Sequence, residues 1–392
     1  MNDEDGPLAG VRVLDLSRIL AGPTCTQLLG DLGADVVKVE RPERGDDTRG
    51  WGQPFTEPAE GEVPESAYFL CANRNKRSIA IDLATEDGAA LVRRLAARAD
   101  VLIENYKVGA LARYGLDYAS LALPRLVYCS ITGFGQTGPR ARGVGYDVLA
   151  QAMGGIMSLT GEPEGAPMKV GVGIADVMCG MYACVAILAA LRHRDRTGEG
   201  QHLDIALFDT QVSWLINAGA DYLVTGTPPA RRGNAHPHIV PYQLFQTADG
   251  HVVLAAGNDE QFARLCEVMG LGSLATDPRY ATNAARVASR ESLIPILEER
   301  FRSRTSEDWE RVLSEAGVPC GPVHDVAQVF SDPQVLQRGM RIRMAQPRAR
   351  SGHVDLIGNP IHASRTPPTY RRPPPAVGEH TNEVIADWLS EP

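Results

Sequence analysis

The sequence predicts an α/β fold, in which a Rossmann-like large domain built on a parallel sheet is joined to a smaller α+β domain. Between Val11 and Thr132, short apolar runs alternate with helical segments, a pattern typical of βαβ units. Around Asp249-Gly250 the pattern changes to two alternating runs joined by a turn, which predicts a hairpin. The chain has 392 residues, enough for two hydrophobic cores.

The first βαβ unit is predicted close to the N-terminus. Val11–Ser17 (VRVLDLS) has the apolar, β-branched composition of a buried strand. A helix follows over Ala21–Leu32, with Pro23 in the first turn, where its missing N–H is tolerated. Gly33 ends that helix, and Asp35–Arg41 (DVVKVER) is the next strand. We expect a right-handed crossover between the two strands.

The same alternation continues and defines one edge of the sheet. Further strands are predicted at Arg77–Leu83, Val101–Asn105 and Leu126–Thr132, with a helix over Thr85–Ala99. Ligands of parallel sheets bind beyond the carboxyl ends of the strands. The residues predicted at those ends are Arg18–Gly22, Arg41, Asn105-Tyr106 and Gly133–Gly138.

The segment Gly133–Gly138 (GFGQTG) matches the GxGxxG pattern of dinucleotide-binding turns and follows a predicted strand. However, Pro139 comes directly after it, and the next segment is rich in Arg and Gly and does not open a helix. The context of a nicotinamide site is therefore missing. We expect a turn whose backbone approaches some other ligand.

The stretch Gly171–Arg194 predicts a buried helix with Asp176 in its first turn. One interpretation makes Asp176 a cap that accepts backbone N–H groups at the helix start. The other makes it a nucleophile. An Asp with an ordinary pKa of about 3.9 is ionised at neutral pH and needs no partner base. The glycines before Asp176 would let a substrate approach the backbone.

The rest of the chain predicts a smaller domain and a C-terminal strap. A strand at Gln201–Phe208 and a helix at Asp209–Val224 complete the large domain, and the small domain holds a hairpin and three helices. These elements are the hairpin Tyr242–Gly257 and the helices Asp259–Met269, Ser292–Ser303 (with Pro295 in its first turn) and Ser306–Ala316. The strap is rich in Pro and Arg and ends in a helix at Asn382–Leu389. The predicted bounds are 1–227, 228–328 and 329–392.

Composition disfavours several classes of protein. The net charge of −9 argues against nonspecific nucleic-acid binding. Seven cysteines without a CxxC pair and nine histidines without ligand spacing predict neither a disulfide framework nor a metal site. The acidic N-terminus has no apolar core that would indicate a signal peptide. The longest apolar run, Gly180–Leu191, is shorter than the roughly 20 residues of a bilayer span. We therefore expect a cytoplasmic protein without membrane contact.

Eight motifs in order resemble those of the class III CoA-transferases, the CaiB–BaiF family that includes formyl-CoA transferase. The resemblance covers nearly the whole chain. The motifs are Leu8–Ala34, Val37–Arg49, Asn73–Leu83, Ile103–Arg113, Gly133–Pro139, Gly145–Gly154, Gly171–Gly180 and Gly378–Val384.

The resemblance implies an activity and an assembly that composition and spacing do not show. Asp176 occupies the position of the family's nucleophile, which attacks an acyl-CoA thioester to form a mixed anhydride and then an aspartyl-CoA thioester. The anhydride keeps the acyl group activated, so no ATP is required, but water must be excluded. The family also implies two chains interlocked as rings in a homodimer. Coenzyme A, as acyl-CoA substrate, is the expected cofactor, and no metal is expected.

The resemblance also implies which residues contact CoA. The basic members of this set would face its phosphates, notably Arg41, Lys76 and Arg113, whereas Ala21 and Tyr106 would lie against adenine or pantetheine. The alternative for each basic residue is a solvated surface charge, and for Asn105 and Tyr106 it is hydrogen bonding at a strand end. The full set is Ile19, Leu20, Ala21, Arg41, Asn73, Arg74, Asn75, Lys76, Asn105, Tyr106, Lys107 and Arg113.

Tyr146 and Asp147 match positions that flank the family's active site. They would position the acyl group, or else they pack and cap the start of a helix. Racemases of the family carry His where this chain has Tyr146, so proton exchange at Cα is disfavoured.

Two departures from formyl-CoA transferase argue against oxalate as the acceptor. The glycine-run loop is missing, and Leu20 is apolar where that enzyme has a polar side chain. The segment Arg231–Phe245 resembles the succinyl-CoA:glutarate branch instead. Arg232 and His236, with Arg231 and His238, would bind the distal carboxylate of a dicarboxylic acid, or they form a basic surface turn.

The sequence therefore predicts CoA transfer from a donor such as succinyl-CoA to a carboxylic acid, and a dicarboxylic acid is favoured. Three alternatives stay open. They are a 2-methylacyl-CoA racemase on the same fold, an NAD-dependent oxidoreductase that uses Gly133–Gly138, and a noncatalytic protein that binds CoA esters.

Overall fold

A computed structural model describes residues 6–390 and divides the chain into two compact units. Residues 1–5, part of the N-terminus predicted to lack a signal peptide, and 391–392 lie outside the described residues. The first unit runs to residue 156 and also contains 169–226 and the chain from 333 onward. The second unit contains 157–168 and 227–332. The short segment 157–168 thus groups with the second unit, which the predicted bounds did not anticipate.

The first unit is built on a six-stranded sheet in which every neighbouring pair is parallel, as predicted. The strand order is β3-β2-β1-β4-β5-β6, so the direction of winding reverses between β1 and β4. Ligands of such sheets bind at this switch point, beyond the carboxyl ends of the strands. The strands are β1 (Arg12–Asp15), β2 (Asp35–Glu40), β3 (Lys76–Ala80), β4 (Val101–Glu104), β5 (Val127–Thr132) and β6 (His202–Ala206).

Nine helices lie between Ala21 and Thr225. They are α1 (Ala21–Asp31), α2 (Ala67–Leu70), α3 (Glu86–Ala96), α4 (Tyr118–Leu121), α5 (Asp147–Met153), α6 (Ile156–Leu159), α7 (Ile174–Thr197), α8 (Leu207–Ser213) and α9 (Ile216–Thr225). The prediction of a single helix over Asp209–Val224 is wrong, because the helix is interrupted between α8 and α9. Ile216 has a φ of +39°, which a continuous right-handed helix does not allow.

Helices α1 and α7 pack side by side on one face of the sheet, against a core that includes Val13, Ile103 and Ile131. Gly180 is at the crossing, where a Cβ would overlap the carbonyl oxygen of Ala21. Helix α7 has 24 residues, and its most apolar 18-residue segment has a mean hydropathy of 2.1. By length and composition alone, this helix could also span a membrane. Only one of its faces is buried, because the apolar side chains of Met181 and Val185 are exposed.

The second unit contains the predicted hairpin and a layer of helices. Strands β7 (Tyr242–Gln246) and β8 (His251–Ala255) pair antiparallel, and β9 (Cys320–Pro322) adds to β8. The helices are α10 (Asp259–Val268), α11 (Gly272–Thr276), α12 (Asn283–Ala288), α13 (Arg290–Phe301), α14 (Ser306–Glu315) and α15 (Val326–Ser331). Pro295 lies inside α13, not in its first turn. Because Pro295 has no N–H, the backbone carbonyl of Glu291 lacks its helical hydrogen bond. Both residues are exposed, so water can bond to that carbonyl instead.

The C-terminal strap returns to the first unit. It contains α16 (Pro333–Gln337), the antiparallel pair β10 (Arg341–Ala345) and β11 (His353–Ile357), and α17 (Thr381–Leu389). Trp388 is buried, and its indole N–H donates to Asp35 at the start of β2 over 2.8 Å. Arg77 joins the same carboxylate to Glu383 and Asp387 of α17. The strap thereby fixes the amino end of the sheet.

We expect Gly180→Ala to destabilise the first unit, because the added methyl group would push α1 away from α7. Overpacking of this kind costs about 1–3 kcal/mol. Urea denaturation followed by circular dichroism measures the loss. Gly272→Ala is the control, since a Cβ at Gly272 meets no atom within 4 Å. Equal stability of the two variants would contradict this packing.

Candidate active site

A cavity of about 410 Å³ opens beside the switch point of the sheet, within the first unit. Its wall includes nine of the residues that the sequence predicted for the site, namely Ile19, Leu20, Ala21, Asn105, Tyr106, Lys107, Arg113, Tyr146 and Asp176. We call it the Asp176 cavity. Five separate stretches of the chain meet at its wall: those that follow β1, β4, β5 and β6, and the start of α7.

Asp176 is in the first turn of α7, as predicted, but it does not cap the helix. The Asp147 carboxylate does so from the start of α5. Its Oδ1 accepts the backbone N–H of Ala175 over 2.8 Å and that of Asp176 over 3.3 Å. Its Oδ2 accepts from the buried Gln151 over 2.7 Å. Because Asp147 satisfies these helix donors, the Asp176 carboxylate is left available to the cavity.

Partial burial of the Asp176 carboxylate, reinforced by the negative charge of Asp147, raises its pKa to about 7. The expectation of an ordinary, fully ionised Asp176 at neutral pH used the pKa of an exposed Asp. Burial in the fold favours the protonated form and shifts the titration of Asp176 toward neutral pH.

The two residues predicted to position the acyl group have different roles in the structure. Tyr146 lines the Asp176 cavity with an exposed side chain, and it is available to a substrate. Asp147 uses both carboxylate oxygens on the protein itself, so it caps the N-terminus of α7; among the described residues, the start of its own helix, α5, has no side-chain cap. Sequence reasoning offered both interpretations but could not find the cap, because Asp147 and Ala175 are far apart in the chain.

Asn105 links two segments of the cavity wall, the one after β4 and the one after β1, by hydrogen bonds. Its side-chain oxygen accepts the backbone N–H of Arg18 over 2.9 Å, and its amide donates to the Arg18 carbonyl over 2.7 Å. The next residue, Ile19, has a φ of +74°, a strained conformation for a β-branched side chain. Its N–H is held by the Asp46 carboxylate at 3.2 Å. The chain that enters α1 is therefore fixed from two sides.

Four buried charged residues underlie this strained segment. Lys38 pairs with Asp46 at 2.9 Å, and its amine also donates to the Ser17 carbonyl over 2.8 Å. Lys76 approaches Asp15 at 3.3 Å, and burial lowers its pKa to about 8. The Lys76 amine has no exposed surface, and Pro23 and Asn73 supply its other two oxygen contacts. The predicted contact of Lys76 with a CoA phosphate does not fit this position.

Asn73, Arg74 and Asn75, also predicted to contact CoA, are buried and bound to protein groups. The Arg74 guanidinium pairs with Asp31 over 2.6 and 2.9 Å, and it donates to a strap carbonyl. Asn75 donates to Asp31 and accepts two strap N–H groups, whereas Asn73 donates to the Phe69 carbonyl. Arg74 and Asn75 anchor the strap, whereas Asn73 bonds to Phe69 and Lys76. All three precede β3, whose amino end is opposite the ligand-binding edge, and this signal was available in the sequence.

Three cations line the rim of the Asp176 cavity. Lys107 and Arg113 are exposed, and the half-buried Arg18 joins them. Arg41 does not line the cavity, but it shares the Asp47 carboxylate with Arg18, each at 2.7 Å. Arg18 was predicted only as a strand-end residue without a role. This basic rim offers a local site for an anion on a chain of net charge −9.

Sequence reasoning missed two further residues, Tyr68 and Glu104. Burial raises the pKa of Tyr68, and the charges of Asp176, Cys71 and Asp147 add to the shift. Its ring packs edge-on against Trp51 with centroids 5.2 Å apart. Glu104 is buried at the end of β4, and burial raises its pKa to about 7. Glu104 falls within the motif Ile103–Arg113, but the resemblance gave it no role, and Tyr68 belongs to none of the eight motifs.

The glycine turn after β5 is not a dinucleotide-binding turn. No helix starts until α5, as the missing context indicated. Gly133 instead packs backbone to backbone against Gly145, and a Cβ on either residue would overlap the other. This contact places Tyr146 at the mouth of the Asp176 cavity. In the part of the chain that the structure describes, no group of three or more His, Cys, Asp or Glu side chains forms a metal site.

Arg232 and His236 belong to the second unit, and their predicted contact with a distal carboxylate stays a prediction. The His236 ring packs 5.2 Å from Tyr242, and its backbone N–H donates to the Tyr242 carbonyl over 2.9 Å. Burial and the nearby charges of His238 and Arg290 lower the pKa of His236.

We expect Asp147→Asn to lower the pKa of Asp176 below 7, because the variant removes a like charge and keeps the oxygen that accepts the helix N–H groups. Titration of the Asp176 carboxyl carbon by ¹³C NMR measures this shift. Asp147→Ala also removes the cap, so it should lose about 0.5–2 kcal/mol of stability. An unchanged Asp176 pKa in Asp147→Asn would show that Asp147 does not act on it by charge.

Comparisons with known proteins agree on one family. The model of CoA-transferase family III matches residues 8–381. The succinate–glutarate CoA-transferase of Agrobacterium fabrum is 51% identical over 390 residues, which cover 99% of this chain and 97% of that protein. The succinyl-CoA:glutarate CoA-transferase of Homo sapiens is 43% identical, over 98% of this chain and 86% of that protein.

A solved structure supports the same assignment. The crystal structure of a CAIB/BAIF family protein from Brucella suis has 50% sequence identity and a TM-score of 0.88, and the match covers 98% of this chain and 100% of that chain. With a family model over nearly the whole sequence and relatives of this similarity, the chain belongs to CoA-transferase family III and is an enzyme of that class.

Proposed function

We propose that this enzyme transfers CoA from succinyl-CoA to glutarate, with Asp176 as the nucleophile. The observation that carries the proposal is the position of Asp176: a carboxylate not used as a cap, at the N-terminus of a helix, in a cavity with a basic rim. Relatives named for succinate and glutarate, at 51% and 43% identity, support the choice of substrates.

In the first half of the reaction, an Asp176 oxygen attacks the thioester carbonyl carbon of succinyl-CoA. The C–S bond breaks, CoA leaves as a thiolate, and a mixed anhydride joins Asp176 to the succinyl group. The thiolate then attacks the aspartyl carbonyl carbon. The anhydride C–O bond breaks, succinate leaves as a carboxylate, and Asp176 carries CoA as a thioester.

The second half repeats these steps in reverse order. A glutarate carboxylate attacks the aspartyl thioester and expels the thiolate, which gives a second mixed anhydride. The thiolate attacks the glutaryl carbonyl carbon, glutaryl-CoA leaves, and the Asp176 carboxylate is regenerated. In the net reaction one thioester, succinyl-CoA, is replaced by another, glutaryl-CoA, so no external energy source is needed.

The geometry of the Asp176 cavity suits this chemistry. The positive end of the α7 dipole favours negative charge at Asp176 and on the tetrahedral intermediates. Lys107, Arg113 and Arg18 would attract the phosphates of CoA. The buried Leu20 side chain lies beside Gly173 and gives this wall an apolar surface that disfavours water near the intermediates. Recognition of the distal carboxylate by Arg232 and His236 remains part of the proposal.

The assembly is also proposed, as the interlocked homodimer implied by the family. Two helices of the first unit support it, because they expose apolar side chains that a second chain would cover. Met181 and Val185 are 45% and 63% exposed on α7, and Leu223 and Val224 are 83% and 85% exposed on α9.

We expect Asp176→Asn to lower transfer from succinyl-CoA to glutarate by at least ~10³-fold, because a neutral amide cannot form the anhydride. Formation of glutaryl-CoA is followed by mass spectrometry. Wild-type enzyme incubated with succinyl-CoA and hydroxylamine should carry a hydroxamate at Asp176. Asp195→Asn, on the exposed end of α7, is the control and should retain activity. Full activity of Asp176→Asn would reject the proposal.

We expect kcat/KM for succinyl-CoA to fall as the pH drops through about 7, since only the ionised Asp176 attacks. The decline should approach about tenfold per pH unit below the pKa. Initial rates between pH 5.5 and 8 measure the profile. In Asp147→Asn the midpoint should move to lower pH. A flat wild-type profile over this range would contradict the raised pKa.

A further inference from the structure

Glu104 is a buried carboxyl group directly behind the wall of the Asp176 cavity. It ends β4 with 5% of its surface exposed. Its Oε2 accepts the backbone N–H of Tyr106 over 2.7 Å. Asn105, Tyr106 and Lys107 all line the Asp176 cavity, so this hydrogen bond fixes the turn that forms one wall.

A second cavity of about 290 Å³ lies on the other side of this turn and contains Glu104. Lys107 and Val108 line both cavities, so the turn separates them. The titratable groups that line the second cavity with Glu104 are Lys107 from the turn, Asp117 and Tyr118 at the start of α4, Tyr128 from β5 and His202 from β6.

Ser130 and His202 are the polar neighbours of Glu104 at the wall of the second cavity. Ser130 is the register partner of Glu104 on β5. Its hydroxyl lies 2.9 Å from Nε2 of His202, whose side chain is exposed. A hydroxyl can donate or accept, so Ser130 is compatible with either charge state of the nearby carboxyl group.

The surroundings of Glu104 do not favour its negative charge. Burial raises its pKa to about 7, and only hydrogen bonds from Ser130 and the Tyr106 N–H oppose the shift. Within residues 6–390, no charged group contributes to it. CoA is a polyanion, and its binding in the Asp176 cavity would bring negative charge to the other side of the Asn105–Lys107 turn. That charge would favour the neutral form of Glu104 further.

We propose that Glu104 is a positioning residue of the CoA-binding wall, and that it holds the Asn105–Lys107 turn in its protonated form when CoA is bound. This inference rests on the proposed function, in that the Asp176 cavity must take CoA. Two consequences follow. CoA binding takes up a proton from solvent near neutral pH, and affinity for CoA weakens as the pH rises.

The test uses free CoA and an Asp176→Asn background, which removes both the chemistry and the titration of Asp176. Isothermal titration calorimetry at pH 8, in phosphate and in Tris, gives the protons taken up per CoA bound. Dissociation constants are measured at pH 6.5 and 8.5. The variants are Asp176→Asn alone and combined with Glu104→Gln, Glu104→Ala or, as a control on exposed surface, Glu299→Gln.

We expect Asp176→Asn to take up a large fraction of one proton and to bind CoA about tenfold more weakly at pH 8.5 than at pH 6.5, since one unit of pKa shift is a factor of ten. Glu104→Gln keeps an acceptor for Tyr106 and a donor for Ser130, and it cannot ionise. Glu104→Gln should abolish the proton uptake that is due to Glu104, and it should bind CoA at pH 8.5 as tightly as at pH 6.5. Glu104→Ala releases the turn and should weaken binding at both, whereas Glu299→Gln should match the background.

Three results would overturn the proposal. The first is equal proton uptake with and without Glu104→Gln. The second is a loss of affinity in Glu104→Gln as large as that in Glu104→Ala, with both variants folded by circular dichroism. The third is failure of CoA to bind any variant or the wild type, which would reject the CoA pocket itself. If only the first or second occurs while Asp176→Asn still abolishes transfer, the proposed function stands and this inference alone fails.

Discussion

The site depends on one carboxylate, Asp147, which joins the start of α5 to the start of α7. Hydrogen bonds from Ala175 and Asp176 to a single oxygen hold the N-terminus of α7 in place. Three properties of Asp176 follow from this contact. Its side chain is not needed as a cap, it faces a cavity, and a like charge is close enough to raise its pKa. Without Asp147, the helix would have to use Asp176, the proposed nucleophile, to satisfy its N-terminal donors.

The cavity wall formed by the segment before α1 has a strained backbone, and buried ion pairs stabilise it. Ile19 has a left-handed backbone that a β-branched residue adopts only when the surrounding structure forces it. Asn105 accepts a hydrogen bond from the backbone of Arg18, and Asp46 accepts one from the backbone of Ile19, which keeps this conformation in place. Asp46 is in turn held by its ion pair with Lys38. Removing one member of such a buried pair leaves an uncompensated charge, so the whole network maintains one local backbone conformation.

The sequence predicted local features well and long-range contacts poorly. Periodicity located all six strands of the large sheet, and helix-start signals located Asp176, because both depend on neighbouring residues. The role of Asp147 and the burial of Lys76 depend on residues far away in the chain, and no local pattern records them. The motif Asn73–Lys76 leads into β3 and lies at the amino end of the sheet, opposite the ligand-binding edge, so the contact with CoA implied by the resemblance does not fit its position. Arg74 and Asn75 bind the strap instead.

Buried carboxyl groups in the first unit fall into two kinds, and the difference explains where chemistry is possible. Asp15 and Asp46 are buried like Glu104, but neighbouring lysines outweigh the effect of burial and lower their pKa values. Asp176 and Glu104 have no such cation, and both have a pKa of about 7. In the proposed mechanism, a lysine beside Asp176 would keep it ionised, but it would also hold the electron pair that attacks the thioester. Leaving that carboxylate unpaired raises its pKa and, under the same proposal, keeps the nucleophile free to react.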